Sequence, residues 1–163
     1  MDLRGHEMQT TLIILKPDSV QRGLMGQIIS RFEAKGLQIA GAKLMQIHPD
    51  LASKHYAVHE GKPFYDKLIR FMTSAPVLVL AIRGKNAIEV SRKMMGATFG
   101  SQAGPGTIRG DFGVSDSFNL IHGSDTPESA KQELTLFFTP DELLDYDRAI
   151  DPWVYDLSTE QTE

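Results

Sequence analysis

The chain has 163 residues, 41 % apolar and 23 % charged, with 17 Lys/Arg against 21 Asp/Glu. That length fits one domain, residues 1–163, whose core needs neither metal nor disulfide staples. There is no Cys, which excludes disulfides, thiolate nucleophiles, iron–sulfur ligation and Cys-based zinc sites. The longest apolar run, residues 75–82, is eight residues long, against the roughly 20 needed to span a bilayer. Residues 1–9 lack the apolar segment of a secretory signal, so a cytoplasmic protein without membrane contact is expected.

The net charge of −4 hides an asymmetry: residues 1–110 hold 15 Lys/Arg and 8 Asp/Glu, residues 111–163 hold 2 and 13. A basic first part suits anionic ligands such as phosphates or nucleic acid, but unevenly charged solvated faces give the same numbers.

In chain order, the β-branched and apolar run at 11–15 predicts a strand, stopped by a turn at Lys16-Pro17-Asp18. Leu24, Ile28, Ile29 and Phe32 fall at helical spacing, with Gly36 at the C-terminal position. A second strand is predicted over 37–47, interrupted at Gly41. Short helical pieces follow over 49–72, broken at Gly61-Lys62-Pro63. Residues 76–82 form the clearest buried strand, and 86–95 read as a helix. Residues 96–113 contain six glycines; a connection that long is uncommon in a compact domain unless it is functional or disordered. A short strand is predicted over 118–121. Thr126-Pro127-Glu128 opens a helix reaching about Phe138. Residues 140–155 are expected to pack through Leu143, Leu144, Trp153 and Tyr155, and 156–163 to be a polar tail. The order fits βαββαβ, an α+β ferredoxin-like arrangement with a four-stranded antiparallel sheet and helices on one face. Alternating elements are equally compatible with a small parallel sheet.

The P-loop and the dinucleotide fingerprint are both absent, since Gly104-Pro105-Gly106 meets Arg109 where a third Gly belongs. His55 and His59, four apart, could share a helix face, but no third metal ligand is indicated. The pair reads as a solvated or partly packed surface. His122 closes an apolar strand before Gly123-Ser124-Asp125 and a capped helix, a junction where ligands are commonly met. Gly123 is expected to let a substrate backbone or phosphate approach. A neutral imidazole there is a competent nucleophile, and equally an ordinary hydrogen-bonded structural histidine. Arg92, Thr98 and Arg109 around the Gly-rich segment offer the hydroxyl and guanidinium donors that phosphate oxygens require, or flank a flexible connection.

Asn119-Leu120-Ile121-His122-Gly123-Ser124-Asp125 closely resembles the N-x-x-H-G-S-D signature of nucleoside diphosphate kinases. The resemblance continues through Lys16-Pro17-Asp18-Ser19-Val20-Gln21-Arg22-Gly23, His55-Tyr56, Gly61-Lys62-Pro63-Phe64-Tyr65, Met72-Thr73-Ser74, Gly96-Ala97-Thr98 and Pro105-Gly106-Thr107-Ile108-Arg109-Gly110-Asp111-Phe112. It covers about residues 10–155 in the family's order.

The resemblance implies a ferredoxin-like core. It also implies ping-pong transfer of the γ-phosphate from a nucleoside triphosphate to a diphosphate, through a phosphohistidine. It implies His122 as nucleophile, Glu133 and Ser124 as the groups that orient it, and Lys16, Tyr56, Arg92, Thr98 and Arg109 as phosphate holders. Asn119 is implied at the sugar hydroxyl and Phe64 at the base. Since stacking is tolerant of base identity, breadth across bases and sugars is implied. Mg²⁺ would arrive on the nucleotide, with no metal ligands from the protein. A homo-oligomer is implied, hexameric in most members and tetrameric in some bacteria.

Three positions depart from the family pattern. Phe99-Gly100 replaces Asn/Asp-Pro, and Gly100 is expected to loosen the long loop. Asp116 stands where the base slot usually has Val, which removes an apolar wall. Phe118 stands where Arg is common. A binding module of the same βαββαβ order would need the aromatic RNA-binding run, which is missing, so no specific nucleic-acid partner is expected. A relative that only binds partners would be expected to lack one of His122, Lys16, Arg109 or Glu133, and all four are present.

Overall fold

The computed structural model describes residues 7–156; residues 1–6 and, apart from Asp156, the tail expected over 156–163 lie outside the described residues. Four strands form one antiparallel sheet. They are β1 (Met8–Leu15), β2 (Gln38–Met45), β3 (Val77–Lys85) and β4 (Ile121–Gly123), in the spatial order β2-β3-β1-β4. The antiparallel order decides against the parallel alternative.

β1 and β3 are apolar at successive positions and occupy the centre, so both of their faces have to be covered. Ile13, Leu15, Leu80, Ile82 and Ile121 face one layer, where Ile28 and Phe32 of α2 (Met25–Ala34) and Met95 of α5 (Ala87–Met95) meet them. Leu12, Ile14, Val79 and Ala81 face the other. That layer is filled by Ala52 of α3 (Pro49–His55), Met72 of α4 (Tyr65–Met72) and Phe137 of α7 (Pro127–Phe137). Helices therefore cover both faces, a correction to the one-face arrangement expected from element order. Two apolar faces of a central strand cannot both be buried by one layer of helices.

Local differences have local causes. The turn expected at 16–18 continues into α1 (Pro17–Gln21), because Pro17 at the first helical position already has the required φ. Gly41 marks the predicted interruption as a bulge: the β2–β3 register shifts between Ile39 and Gly41. The last strand begins at Ile121 and not at Phe118. Ile121 N donates to Asn119 O at 2.8 Å, which closes a γ-turn with Leu120 at φ 71. This is the rarer, strained hand of that turn, and it interrupts the regular extended backbone just before Ile121. In the C-terminal segment Leu143 and Tyr155 pack inward, but Leu144 and Trp153 are exposed, contrary to expectation. The segment is held by polar contacts instead. Arg148 donates to the carbonyls of Gly36 and Leu37 and pairs with Asp151, and Tyr146 Oη donates to Ile39 O. No helix among the described residues is long and apolar enough to cross a membrane.

The glycine-rich connection has internal order. A short 3-10 turn spans Gly100–Gln102 and α6 spans Ile108–Phe112, capped by the Thr107 hydroxyl, which accepts from Gly110 N at 3.0 Å. Ser101 donates to Asp116, and Asp111 is bound by Arg31 and by Gly106 N. Gly100 is buried, and a Cβ there would overlap the Gly113 carbonyl. The glycine thus meets a steric need and does not merely free the backbone. Gly100→Ala is expected to lower stability by about 1–3 kcal/mol, the usual cost of overpacking. A denaturant midpoint equal to that of the unaltered chain would show that the contact yields freely.

Candidate active site

His122 is the middle residue of β4, paired across from Ile14 of β1. It therefore shares the face of Leu12 and Ile14, and points at α7 and at the end of α3. Gly123 faces the other way, where a Cβ would meet Met95 Sδ at 2.6 Å. Close packing of α5 explains this glycine, so the expected role in substrate approach is not what fixes it.

Glu133, on α7, receives two hydrogen bonds. His122 Nε2 donates to its Oε1 at 3.1 Å, and the buried Ser124 hydroxyl donates to its Oε2. A carboxylate only accepts, so Nε2 carries the ring proton and the lone pair lies on Nδ1. Burial alone would push the Glu133 carboxyl up, but these two bonds and the His122 charge outweigh it and hold the group below the ordinary range. The Thr126–Ser129 cap of α7 fixes the height at which Glu133 stands beside the strand.

A second group of side chains meets at the entry to β4. Lys16 Nζ donates to Asn119 Oδ1 at 2.7 Å, and Asn119 Nδ2 donates to Thr98 O at 2.9 Å. Burial, with the neighbouring Arg109 charge, lowers the Lys16 ammonium to about 8. Arg109 is 5 % exposed and spreads its fork over three carbonyls, those of Asn119 (3.0 Å), Gly96 (3.1 Å) and Ile121 (2.6 Å). Burial, and Arg92 nearby, lower it to about 10, so it stays charged at neutral pH. Arg92 Nη1 reaches Gly123 O at 3.3 Å and Asp125 Oδ1 at 2.5 Å. The strained Leu120 is clamped by the same neighbours: its carbonyl accepts from Lys16 N and Ser19 Oγ, and its N–H donates to Asp18 Oδ2 at 3.0 Å. Strain held this firmly by surrounding contacts is typical of functional sites.

Toward solvent, rings step outward from His122. Tyr56 lies 6.4 Å away, His59 stacks 6.3 Å from Tyr56, and Phe64 is 5.4 Å from His59. Phe64 is half exposed, with the Lys62 ammonium 5.8 Å over its ring. Phe118 rests on Phe71, with centroids 5.1 Å apart.

The structure gathers the sequence-derived residues into two adjoining groups, His122, Ser124, Glu133 and Tyr56 in one, Lys16, Thr98, Arg109 and Asn119 in the other. Arg92 bridges to the signature through Gly123, and Phe64 stands at the outer end of the ring series. His55 corrects the sequence reading, for it is buried and not a surface residue. Its side chain is 1 % exposed and its ring meets His122 edge to face at 4.7 Å. Burial, and the His122 charge, lower its imidazole to about 3, so it is neutral. The signal was present: Leu51 and Ala52 precede His55 and Tyr56 by four residues each, an apolar stripe one turn long.

The sequence profile of the family described as nucleoside diphosphate kinase matches residues 9–143. The chain belongs to the nucleoside diphosphate kinase family. Relatives named nucleoside diphosphate kinase include one from Staphylococcus epidermidis, 54 % identical over 149 residues, and one from a Roseiflexus species, 56 % identical over 149 residues. Each alignment covers 91 % of this chain and the whole of the relative. The solved nucleoside diphosphate kinase of Halobacterium salinarum, in complex with CDP, superposes with a TM-score of 0.88 at 49 % identity, covering 90 % of this chain and 98 % of that one. The Borrelia burgdorferi nucleoside-diphosphate kinase, a transition-state mimic with bound vanadate and ADP, gives 0.83 at 38 % identity, covering 88 % and 94 %. The chain is therefore an enzyme of nucleotide phosphotransfer on a ferredoxin-like α+β fold. In this family member His122 and Ser124 of the signature form one hydrogen-bonded unit with Glu133 of α7.

Proposed function

We propose that the enzyme moves the γ-phosphate of a nucleoside triphosphate, typically ATP, to a nucleoside diphosphate by a ping-pong route through His122. The observation that carries this reading is the Nε2 hydrogen bond to Glu133 at 3.1 Å, which leaves the Nδ1 lone pair free. In the first half-reaction Nδ1 forms a bond to the γ-phosphorus. The bond from that phosphorus to the bridging oxygen breaks, and its electron pair leaves on the diphosphate. In the second, a β-phosphate oxygen of the acceptor attacks the same phosphorus, and the N–P electron pair returns to Nδ1. Nε2–H stays in place throughout, and the Glu133 carboxylate offsets the positive charge that develops on the ring.

Lys16, Arg92 and Arg109, with Tyr56 and Thr98, hold the phosphates, and the reaction depends chiefly on such positioning and charge stabilisation. Asn119 binds the sugar hydroxyl and Phe64 stacks on the base, which favours no one base. The vanadate–ADP and CDP complexes of the relatives support a nucleotide in such a site. Glu133 is committed to His122 and Ser124, and Asp125 to Arg92. The donor set therefore fits Mg²⁺ that comes as part of the nucleotide substrate, where it neutralises phosphate charge. Membership of the family favours a homo-oligomer, hexameric before tetrameric, and the exposed Leu44, Ile150 and Trp153 are apolar surface that such an assembly could cover.

Incubation with γ-labelled ATP and no acceptor should leave an acid-labile, base-stable label on the protein. Adding GDP should discharge it as GTP. Rapid transfer from ATP to GDP without any labelled protein would rule out the ping-pong route.

The lowered Lys16 sets a pH dependence. Phosphate binding needs the charged ammonium, so kcat/KM is expected to fall about tenfold per pH unit above pH 8. Bound phosphate favours the charged form, so kcat should fall at higher pH than kcat/KM. Folding has the opposite sign. Between pH 8 and 10.5 the unfolded lysine binds a proton that the folded one does not, so its contribution to stability rises there. A flat kcat/KM from pH 7 to 10 would show that this charge does not bind substrate.

A further inference from the structure

His55 has no part in the transfer just described, yet it lies directly behind the reacting ring. Its side chain is 1 % exposed, and neither ring nitrogen has a hydrogen-bond partner among the described residues. An unpartnered buried polar group is costly and asks for an explanation. His55 Nδ1 lies 4.0 Å from Glu133 Oε1, and the same oxygen lies 3.1 Å from His122 Nε2. One ligand atom from each of the three residues falls within 4.8 Å of the other two.

We propose that His55, His122 and Glu133 form an inhibitory site for a zinc-class divalent cation. Two imidazole nitrogens and one carboxylate oxygen are the donor set of zinc sites with three protein ligands, which leave the fourth position to water. Metal bonds of about 2.0–2.2 Å at tetrahedral angles place ligand atoms about 3.4 Å apart. The Glu133–His122 edge is already near that length, and the longest edge closes by no more than about 1.4 Å from 4.8 Å. Ser124 keeps hold of Oε2, so the carboxylate stays aimed while Oε1 turns to the metal. His122 and Glu133 are 20 % and 14 % exposed on their side chains, which gives an ion a way in from the cleft. Mg²⁺ does not compete, because it takes hard oxygen ligands in an octahedron.

Inhibition follows from where the ring proton goes. Without metal, Nε2 carries the proton and Nδ1 the lone pair. A cation on Nε2 uses the Nε2 lone pair, so the one ring proton of the neutral imidazole sits on Nδ1, where attack on phosphorus has to begin. The ring stays neutral and no proton is lost. This consequence rests on the phosphohistidine reading; the metal site itself does not.

The test is zinc chloride titrated into the full chain carrying ¹⁵N-histidine, with Mg²⁺ in excess. The ring nitrogens of His55 and His122 are expected to change together, complete at one equivalent. Phosphotransfer with saturating magnesium nucleotide should fall in parallel and return on addition of EDTA. In His55→Phe the zinc concentration for half-inhibition should rise at least about tenfold, as loss of a ligand requires. Zinc that perturbs only other histidines, or an unchanged half-inhibition in His55→Phe, overturns the site. Should that variant fail to fold, the spectra of the unaltered chain decide alone. Zinc on both rings with undiminished labelling of His122 overturns the inhibitory step. Absence of any labelled protein without zinc counts against the phosphohistidine reading, and the spectra still judge the metal site.

Discussion

His122→Gly is expected to lower transfer from ATP to GDP by about 10,000-fold or more, with the fold intact. On the proposed ping-pong route His122 is the covalent nucleophile, so its removal forfeits both half-reactions, and such losses reach about a millionfold where the residue acts within a unit. His122 is half buried against Glu133 and His55, and its removal leaves space of imidazole size beside the His55 and Tyr56 rings and the Glu133 carboxylate. Added imidazole is expected to enter that space, donate to Glu133 and restore measurable transfer. Glu133→Gln belongs to the same experiment. An amide offers an NH₂ as well as an oxygen, so part of the population would hold the imidazole proton on Nδ1 and the rate should fall without vanishing. A His122→Gly protein that still takes up acid-labile phosphate from ATP would place the nucleophile elsewhere.

Arg109→Ala is expected to be the most destabilising single change at the site. The side chain joins the end of α5 to the start of β4 through the carbonyls of Gly96, Asn119 and Ile121. Alanine leaves these buried acceptors without donors and also removes a buried cation. Together this is expected to cost about 3–5 kcal/mol. For a chain of this size that lowers Tm by about 6–20 °C at matched protein concentration. Lysine keeps the charge but has no planar fork to serve three diverging carbonyls, so Arg109→Lys is expected to regain less than half of the loss. Scanning calorimetry of the three proteins gives the comparison. A Tm for Arg109→Ala within a degree or two of the unaltered chain would show that water replaces the guanidinium. The assignment of Arg109 to phosphate holding then changes in character, since most of its donors already serve the backbone and only the remaining N–H groups are available to a ligand.

The fold was readable where local chemistry sets the outcome. The continuous apolar runs of β1 and β3, the Thr126-Pro127 cap and the Gly41 bulge each depend on near neighbours in the chain. The same holds for the spacing that puts Glu133 on the helix following His122. The failures share one cause. Residues 118–120 read as strand because Phe118 and Leu120 are apolar and lead into Ile121, but contacts with Lys16, Asp18 and Ser19, about a hundred residues earlier, hold Leu120 at φ 71. Leu144 and Trp153 looked like core because they are large and apolar. Whether a given side chain finds a partner depends on the path of the chain across β2, which composition does not record.

Charge behaved in the same way. By itself the sequence determined that 15 of the 17 cationic side chains precede residue 111, and that a histidine signature follows a segment rich in glycine. Motif order then sufficed to point to the family, and to propose which residues serve its site, because the chemistry asks for fixed residue types. Only the tertiary structure decided how they are shared out. It turned Arg109 onto carbonyls, tied Arg92 to Asp125, buried Lys16 until its ammonium loses affinity for its proton, and placed His55 behind His122. The physical reason is that desolvation and hydrogen-bond satisfaction are properties of a three-dimensional neighbourhood. A sequence fixes which groups exist, and packing determines which of them retain water, a partner or neither.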